Sequence, residues 1–338
     1  MGEQNVNRRD AEALRHFVRD LLRDVRAMEK MLDDGLFETG VRRIGAEQEL
    51  FLVDDGYQPA MLSPQVLDVI DDPHFTTELG RFNVEYNMDP LEFGGDCLSQ
   101  LEKQIVDLFA VAREGAQSLG GDALMTGILP TLKKSDLSLS NMTPLPRYHA
   151  LNEALCERRG GAYAIRIKGA DEFIFEHDNV MLESCNTSFQ VHFQVSPEEF
   201  ARFYNIAQVA AGPMMAISSN SPLLFGKRLW RETRLALFQQ SIDTRQNTTR
   251  ERMARVSFGV DWVRESVLEI FREDIARFRV LLNTEVDEDP FEAIADGRAP
   301  KLQALSLNNG TVYRWNRPCY GISDNGKPHL RIENRILP

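Results

Sequence analysis

Between Ser188 and Ser196 the side chains alternate without a break: Phe189, Val191, Phe193 and Val195 against Gln190, His192 and Gln194. Successive side chains of an extended chain point to opposite faces, so this segment reads as a strand with one apolar and one polar face. Three further segments are sorted in the same way. In Ile44–Leu52 the period of two puts Glu47 and Glu49 on one side. In 81–87, Arg81, Asn83, Glu85 and Asn87 oppose Phe82, Val84 and Tyr86. In 329–337, His329, Arg331, Glu333 and Arg335 oppose Leu330, Ile332 and Ile336. Two-faced strands belong to antiparallel sheets that pack one face on a core.

Helical spacing surrounds these strands. Leu14, Phe17, Val18, Leu21, Val25, Met28 and Leu32 recur at three and four, which predicts an amphipathic helix from about Arg8 to Leu32, ending near Gly35. Asp96 is placed to cap a helix carrying Leu98, Leu101, Ile105, Leu108, Phe109 and Ala112 and stopping at Gly120-Gly121. Ser196-Pro197-Glu198-Glu199 predicts a helix start, with the helix running towards Ile217 and Gly212-Pro213 as a kink. A further long helix is expected over about 261–282. Strands and helices do not alternate regularly, so the class is α+β and not a doubly wound fold. No repeat or linker divides the chain. Residues 1–36 read as a helix packed on the body, and residues 37–338 as one catalytic domain.

Composition narrows the function classes. Among 338 residues, 39 Lys and Arg face 51 Asp and Glu, a net charge of −12, which argues against a nucleic-acid partner. No apolar stretch approaches the roughly 18 residues of a membrane span. The opening MGEQNVNRRDAEALRHF lacks the apolar core of a signal peptide, so the expectation is a cytoplasmic protein. Cys97, Cys156, Cys185 and Cys319 are scattered without a C-x-x-C and read as small buried residues.

The chemistry sits on the polar strand faces. A face that simply meets water usually carries Lys and Thr; these carry Glu, His, Gln and Arg. Glu47 and Glu49 run directly into Leu50-Phe51-Leu52-Val53, and carboxylates in an apolar setting need a cation or an arginine to stay ionised. Several carboxylates with one His suit a hard ion, Mg²⁺ or Mn²⁺. Such a face suits phosphoryl transfer from a nucleotide. There is no P-loop, no dinucleotide fingerprint and no nucleophile elbow, so phosphates would be held by metal and Arg side chains.

Seven landmarks follow one another over about residues 41–338. They are Gly45-x-Glu47-x-Glu49, Glu78 with Glu85, Pro146-Arg147-Tyr148, and Gln190-Val191-His192. Next come Asn220-Ser221-Pro222 with Gly226 and Arg234, then Tyr313-x-Trp315-x-Arg317-Pro318 and Arg331-x-Glu333-x-Arg335. Together they resemble the glutamate–cysteine ligase family 2, carboxylate–amine ligases of the wider glutamine synthetase and guanido kinase fold group. The resemblance implies a curved antiparallel sheet with helices on its outer face, like the glutamine synthetase catalytic domain. It implies an enzyme that phosphorylates the glutamate γ-carboxylate with ATP and passes the acyl phosphate to the amine of cysteine. Glu47, Glu49, Glu78, Glu85, His192 and Glu333 would hold Mg²⁺ (or Mn²⁺) around the triphosphate, and Arg335 and Arg331 would neutralise the transferring phosphoryl group. Arg234, Arg147, Tyr148 and Asn220 would bind substrate.

Some alternatives stay open. The Gly226–Arg234 stretch is about one residue short of the family pattern, so Arg231 could replace Arg234, and Arg234 could instead pair with Glu232 or Asp243 on a surface helix. The acid that often follows the family's last strand is replaced by Leu337-Pro338, and relatives continue with more helix beyond it, so either a C-terminal tail is missing here or the family's C-terminal part is absent. A family ligase with another amine or carboxylate, or a non-catalytic nucleotide- or amino-acid-sensing domain, are the rival readings. The expected partners are small molecules (glutamate, an amino-acid amine and ATP), with no nucleic acid or membrane, and a homo-oligomer is compatible with the sequence.

Overall fold

The computed structural model describes residues 11–245 and 253–338. The sorted segments become β-strands close to the expected limits. The first part of the chain gives β1 (Arg43–Val53), β2 (Phe75–Thr77), β3 (Asn83–Asn87), β4 (Leu91–Glu92) and β5 (Asp122–Leu124). A hairpin of β6 (Tyr163–Lys168) and β7 (Glu172–His177) is followed by β8 (Phe189–Val195). A short ribbon, β9 (Leu223–Leu224) and β10 (Lys227–Arg228), precedes β11 (Asn316–Ile322) and β12 (Pro328–Leu337). One eight-stranded sheet runs β11-β12-β8-β1-β3-β2, with β4 and β5 also pairing with β1, and every pairing is antiparallel. It curls into a half-barrel, the curved sheet that the family resemblance implied.

The helices are α1 (Ala11–Asp33), α2 (Ser63–Ile70), α3 (Cys97–Ser118), α4 (Pro146–Arg159) and α5 (Phe200–Ser218). They continue with α6 (Arg234–Ser241), α7 (Leu268–Arg277), α8 (Pro290–Ala295) and α9 (Gln303–Gly310). Helices α2 and α3 cover Leu50, Leu52, Val84 and Tyr86 of the apolar sheet face through Val66, Leu101, Ala112 and Ala116. Helices α1, α5, α7 and α9 cover Val195, Leu330 and Ile332 through Phe17, Leu21, Met28, Phe200, Tyr204, Phe271 and Leu305. With the apolar face so covered, the polar face is left to line the site. None of the described helices is long and apolar enough to cross a membrane.

Several element limits differ from expectation for local reasons. Residues 8–10, where the first helix is expected to begin, lie outside the described residues. Asp96 is the N-cap residue of α3 as expected, but its carboxylate accepts from the Gln100 side-chain amide at 2.7 Å and not from a backbone N–H of the first turn. Ser196 opens a single 3₁₀ turn (Pro197–Glu199) before α5, which carries Pro213 inside it. The long helix expected over 261–282 shrinks to α7. The Glu269 carboxylate takes the backbone N–H groups of Arg264, Glu265 and Ser266, which fixes the helix start and holds the preceding residues in a loop.

Helix α7 is tied to the approach to β11 by a buried pair. The Arg314 guanidinium donates to Asp274 at 3.0 Å (Nε) and 2.7 Å (Nη2), with 4% and 2% of the two side chains exposed. Asp274→Ala leaves the buried guanidinium only Glu273 Oε2, at 3.0 Å from Nη2, so it is expected to cost about 3 kcal/mol, the low end for a broken buried pair. Urea unfolding measures it, and a loss below about 1 kcal/mol would show that the pair does not hold this corner.

Candidate active site

Register decides which polar side chains meet. Glu333 of β12 lies opposite His192 of β8 and opposite Arg317 of β11, and His192 lies opposite Gly45 of β1. Further along the sheet Glu47 lies opposite Gln190 and Asn87, and Glu49 opposite Glu85. The period of two puts all of them on the face the helices leave uncovered. The expected acids divide into two groups there.

The first group is Glu47, His192 and Glu333. Glu333 Oε1 accepts from Arg335 Nη1 and from Arg317 Nη1 at 3.4 Å, and Oε2 accepts from the Cys319 thiol at 3.0 Å. Burial alone would raise the Glu333 carboxyl; Arg317 and Arg335 outweigh it and hold the group well below the usual carboxylate range. His192 Nε2 sits 2.8 Å from Glu47 Oε1, out of line for a hydrogen bond, and neither buried ring nitrogen has a hydrogen-bond partner. Burial also opposes ionisation of Glu47, and the close contact with His192 outweighs it and lowers the carboxyl.

The second group is Glu49, Glu78 and Glu85, with carboxylate oxygens within 4.8 Å of one another. Glu49 is anchored: Oε2 accepts from the Ser188 N–H at 2.8 Å and Oε1 from the Gln190 amide at 2.9 Å. Burial, with the charges of Glu47 and Glu49, pushes Glu85 up to about 8. Burial and the neighbouring acids push Glu78 well above its ordinary value, and burial raises Glu49. Carboxylates buried this close must share protons or a cation. An all-oxygen set fits Mg²⁺ or Mn²⁺. The orphaned imidazole fits a ligand role in the first group.

Arg335 joins the two groups. Its Nη1 donates to Gln190 Oε1 and Glu333 Oε1, its Nε is buried without a hydrogen-bond partner, and burial and the acids Glu333, Glu47 and Glu49 compete over its charge, the acids prevailing. The β12–β8 register slips between Asn334 and Leu337, and the Arg335 N–H bonds the Trp315 carbonyl at 2.9 Å. Beyond Glu47 and His192 opens a cavity of about 450 Å³, also lined by His329, Arg331 and the turn at Ile322–Asn325. Arg331 Nη1 contacts His329 Nε2 at 2.9 Å.

The substrate candidates fare unequally. Arg234 is buried, not on the surface; its Nη1 donates to Glu232 Oε1 at 2.9 Å and to the Ile336 carbonyl at 3.2 Å. Its Nε has no hydrogen-bond partner, and with Glu49 and Arg335 it lines a second, smaller cavity. Asp243 pairs with Arg245 instead, and Arg231 is exposed. The Tyr148 hydroxyl donates to the Thr77 carbonyl at 3.0 Å and Arg147 Nη2 reaches the same hydroxyl at 2.6 Å, one residue from Glu78. The Asn220 backbone N–H donates to Glu232 Oε2 at 3.0 Å, but its exposed side chain touches neither acid group among the described residues.

Sequence reasoning missed three residues of this face as site residues. Arg317 and Cys319 follow from the period of two along β11, which was legible but not used. Glu183 does not, because it comes from a 3₁₀ turn (Val180–Cys185) without periodicity; burial and the charge of Glu49 push its carboxyl up to about 8.

A family model described as glutamate-cysteine ligase family 2 matches residues 43–268. A search of curated proteins finds no match to the sequence. A solved glutamate–cysteine ligase from Francisella tularensis, in complex with AMP, is 13% identical over 89% of this chain and 62% of its own, with a TM-score of 0.49. A bifunctional glutathione synthetase from Pasteurella multocida is 12% identical over 49% of this chain and 18% of its own, with a TM-score of 0.31. The chain thus spans less than two thirds of either solved relative.

Proposed function

The chain belongs to the glutamate-cysteine ligase family 2, and from that premise we propose that it is an ATP-dependent carboxylate–amine ligase joining the glutamate γ-carboxylate to the amine of cysteine. The observation that carries the reading is Arg335, fixed by Gln190 and Glu333 between two groups of acids on one sheet face. Glu333 and Arg335 lie outside the matched residues; register sets Glu333 opposite His192, and the Arg335 side chain reaches Gln190, which lies opposite Glu47.

Glu49, Glu78 and Glu85 would hold one Mg²⁺, and Glu47, His192 and Glu333 another. Bound there, Mg²⁺ supplies neutralisation of the triphosphate and polarisation of the γ-phosphoryl group. Arg335 faces the same space, and its guanidinium donates to phosphoryl oxygens as charge redistributes between ADP and the attacking carboxylate. Arg331, held by His329, lines the larger cavity and meets phosphate there. Arg234 offers its unpartnered Nε to a substrate carboxylate. Arg147 and Tyr148 hold the backbone beside Glu78 and so position that acid.

The test is release of ADP from ATP and Mg²⁺, screened against glutamate paired with each amino acid. Strong release with cysteine alone is expected. Release with another amine keeps the ligase and changes its substrate; no release with any pair rejects the reading.

His192→Ala is expected to raise the Mg²⁺ concentration needed for half-maximal activity by about tenfold or more, and His192→Gln, which retains an acceptor of similar reach, by much less. A wild-type metal titration for His192→Ala would make the residue structural.

A further inference from the structure

One donor on the polar face has no part in this reading. The Cys319 thiol sits on β11, two residues beyond Arg317, and the period of two turns it to the same side. It donates to Glu333 Oε2 at 3.0 Å, and a ligand atom from each of His192, Cys319 and Glu333 lies within 4.8 Å of the other two. All three stand on paired antiparallel strands, β8, β12 and β11, so their spacing is set by backbone hydrogen bonds. His192 Nδ1 is buried without a hydrogen-bond partner, and Nε2 has only the 2.8 Å contact with Glu47 Oε1, which is not a hydrogen bond, so the ring can ligate without breaking one.

Thiolate, imidazole and carboxylate together are a poor set for Mg²⁺, which takes oxygen ligands in an octahedron. They are a good set for a borderline-soft ion that accepts three protein ligands in a tetrahedron and leaves the fourth position open. The Glu49, Glu78 and Glu85 group offers oxygen alone, so the two halves of the face differ in the ion they select.

We propose that His192, Cys319 and Glu333 form a Zn²⁺-selective site. As Zn²⁺ binds, the S–H bond of Cys319 breaks, a Zn–S bond forms, and the proton passes to water. Arg317 and Arg335 remain beside Glu333 and help to balance the added thiolate charge. Zn²⁺ here takes two side chains that the ligase reading gives to Mg²⁺, so it competes with the activating ion; that consequence alone rests on the proposed function.

The test uses the metal-free full chain and measures no turnover, so its failure and the failure of the ligase reading are separable. Co²⁺ is titrated in as a spectroscopic probe, then displaced by Zn²⁺. A near-ultraviolet thiolate-to-cobalt charge-transfer band is expected in the wild type, disappearing on addition of Zn²⁺ and absent in Cys319→Ser. Competition with a chromophoric chelator should show Zn²⁺ affinity falling by about 100-fold in that variant, with Mg²⁺ affinity changed by less than about threefold. Bound Co²⁺ without the band, or a band that survives in Cys319→Ser, overturns the proposal. Should that variant fail to fold, X-ray absorption of the Zn²⁺-loaded wild type decides: one sulfur with mixed nitrogen and oxygen ligands is expected, and nitrogen and oxygen alone overturn it.

Discussion

Arg335→Ala is expected to lower kcat by about three orders of magnitude or more while KM for ATP changes by less than about tenfold. The asymmetry follows from where Arg335 stands. Its guanidinium is fixed by Gln190 and Glu333, so it is already oriented for charge that develops only as the phosphoryl group moves. Arg335→Lys keeps the charge but loses the planar fork, and should recover only part of the loss. A structural role predicts something else. If Arg335 serves only to neutralise Glu333, then Arg335→Ala lowers the melting temperature and leaves kcat of the folded fraction near normal. Both quantities measured on one preparation separate the roles, and a normal kcat there rejects the catalytic one.

The metal-free protein should lose stability as pH rises from about 5 to 8. Glu85 is pushed up to about 8 in the folded chain by burial and by Glu47 and Glu49, and Glu183 to about 8 by burial and Glu49. Unfolded, both return to ordinary carboxylate values. Between those limits the folded state binds more protons than the unfolded state, so raising the pH favours unfolding. Mg²⁺ should flatten the slope by replacing protons among Glu49, Glu78 and Glu85. Glu85→Gln should raise the metal-free melting temperature at pH 8, and Glu49→Gln should cut turnover by at least about two orders of magnitude with the fold intact. A melting temperature independent of pH in the metal-free protein would show that these carboxyls are not crowded as described.

Much of this was legible from alternation alone. The β-period sorted Glu47, Glu49, Glu85, His192, Glu333 and Arg335 onto polar faces, because one buried face leaves a strand no freedom to slip by one residue. Alternation could not reveal pairing order. That Glu333 meets His192, and Glu49 meets Glu85, comes from long-range register. Nor could it separate Arg234 from Arg231, since only the fold buries the first and exposes the second. The helix expected over 261–282 was too long because the start of α7 is set by the Glu269 side chain, whose bonds to the preceding backbone no local pattern reveals. Glu183 stayed hidden because a 3₁₀ turn carries no period to read.

This face is proposed to move a phosphoryl group from ATP to a carboxylate. Oxygen-18 in the glutamate γ-carboxylate tests it most directly, followed by mass analysis of the phosphate released during Mg²⁺-dependent turnover with cysteine. An acyl phosphate leaves a carboxylate oxygen on the phosphate, so each phosphate formed is expected to carry one labelled oxygen. Peptide product accompanied by unlabelled phosphate would contradict the account.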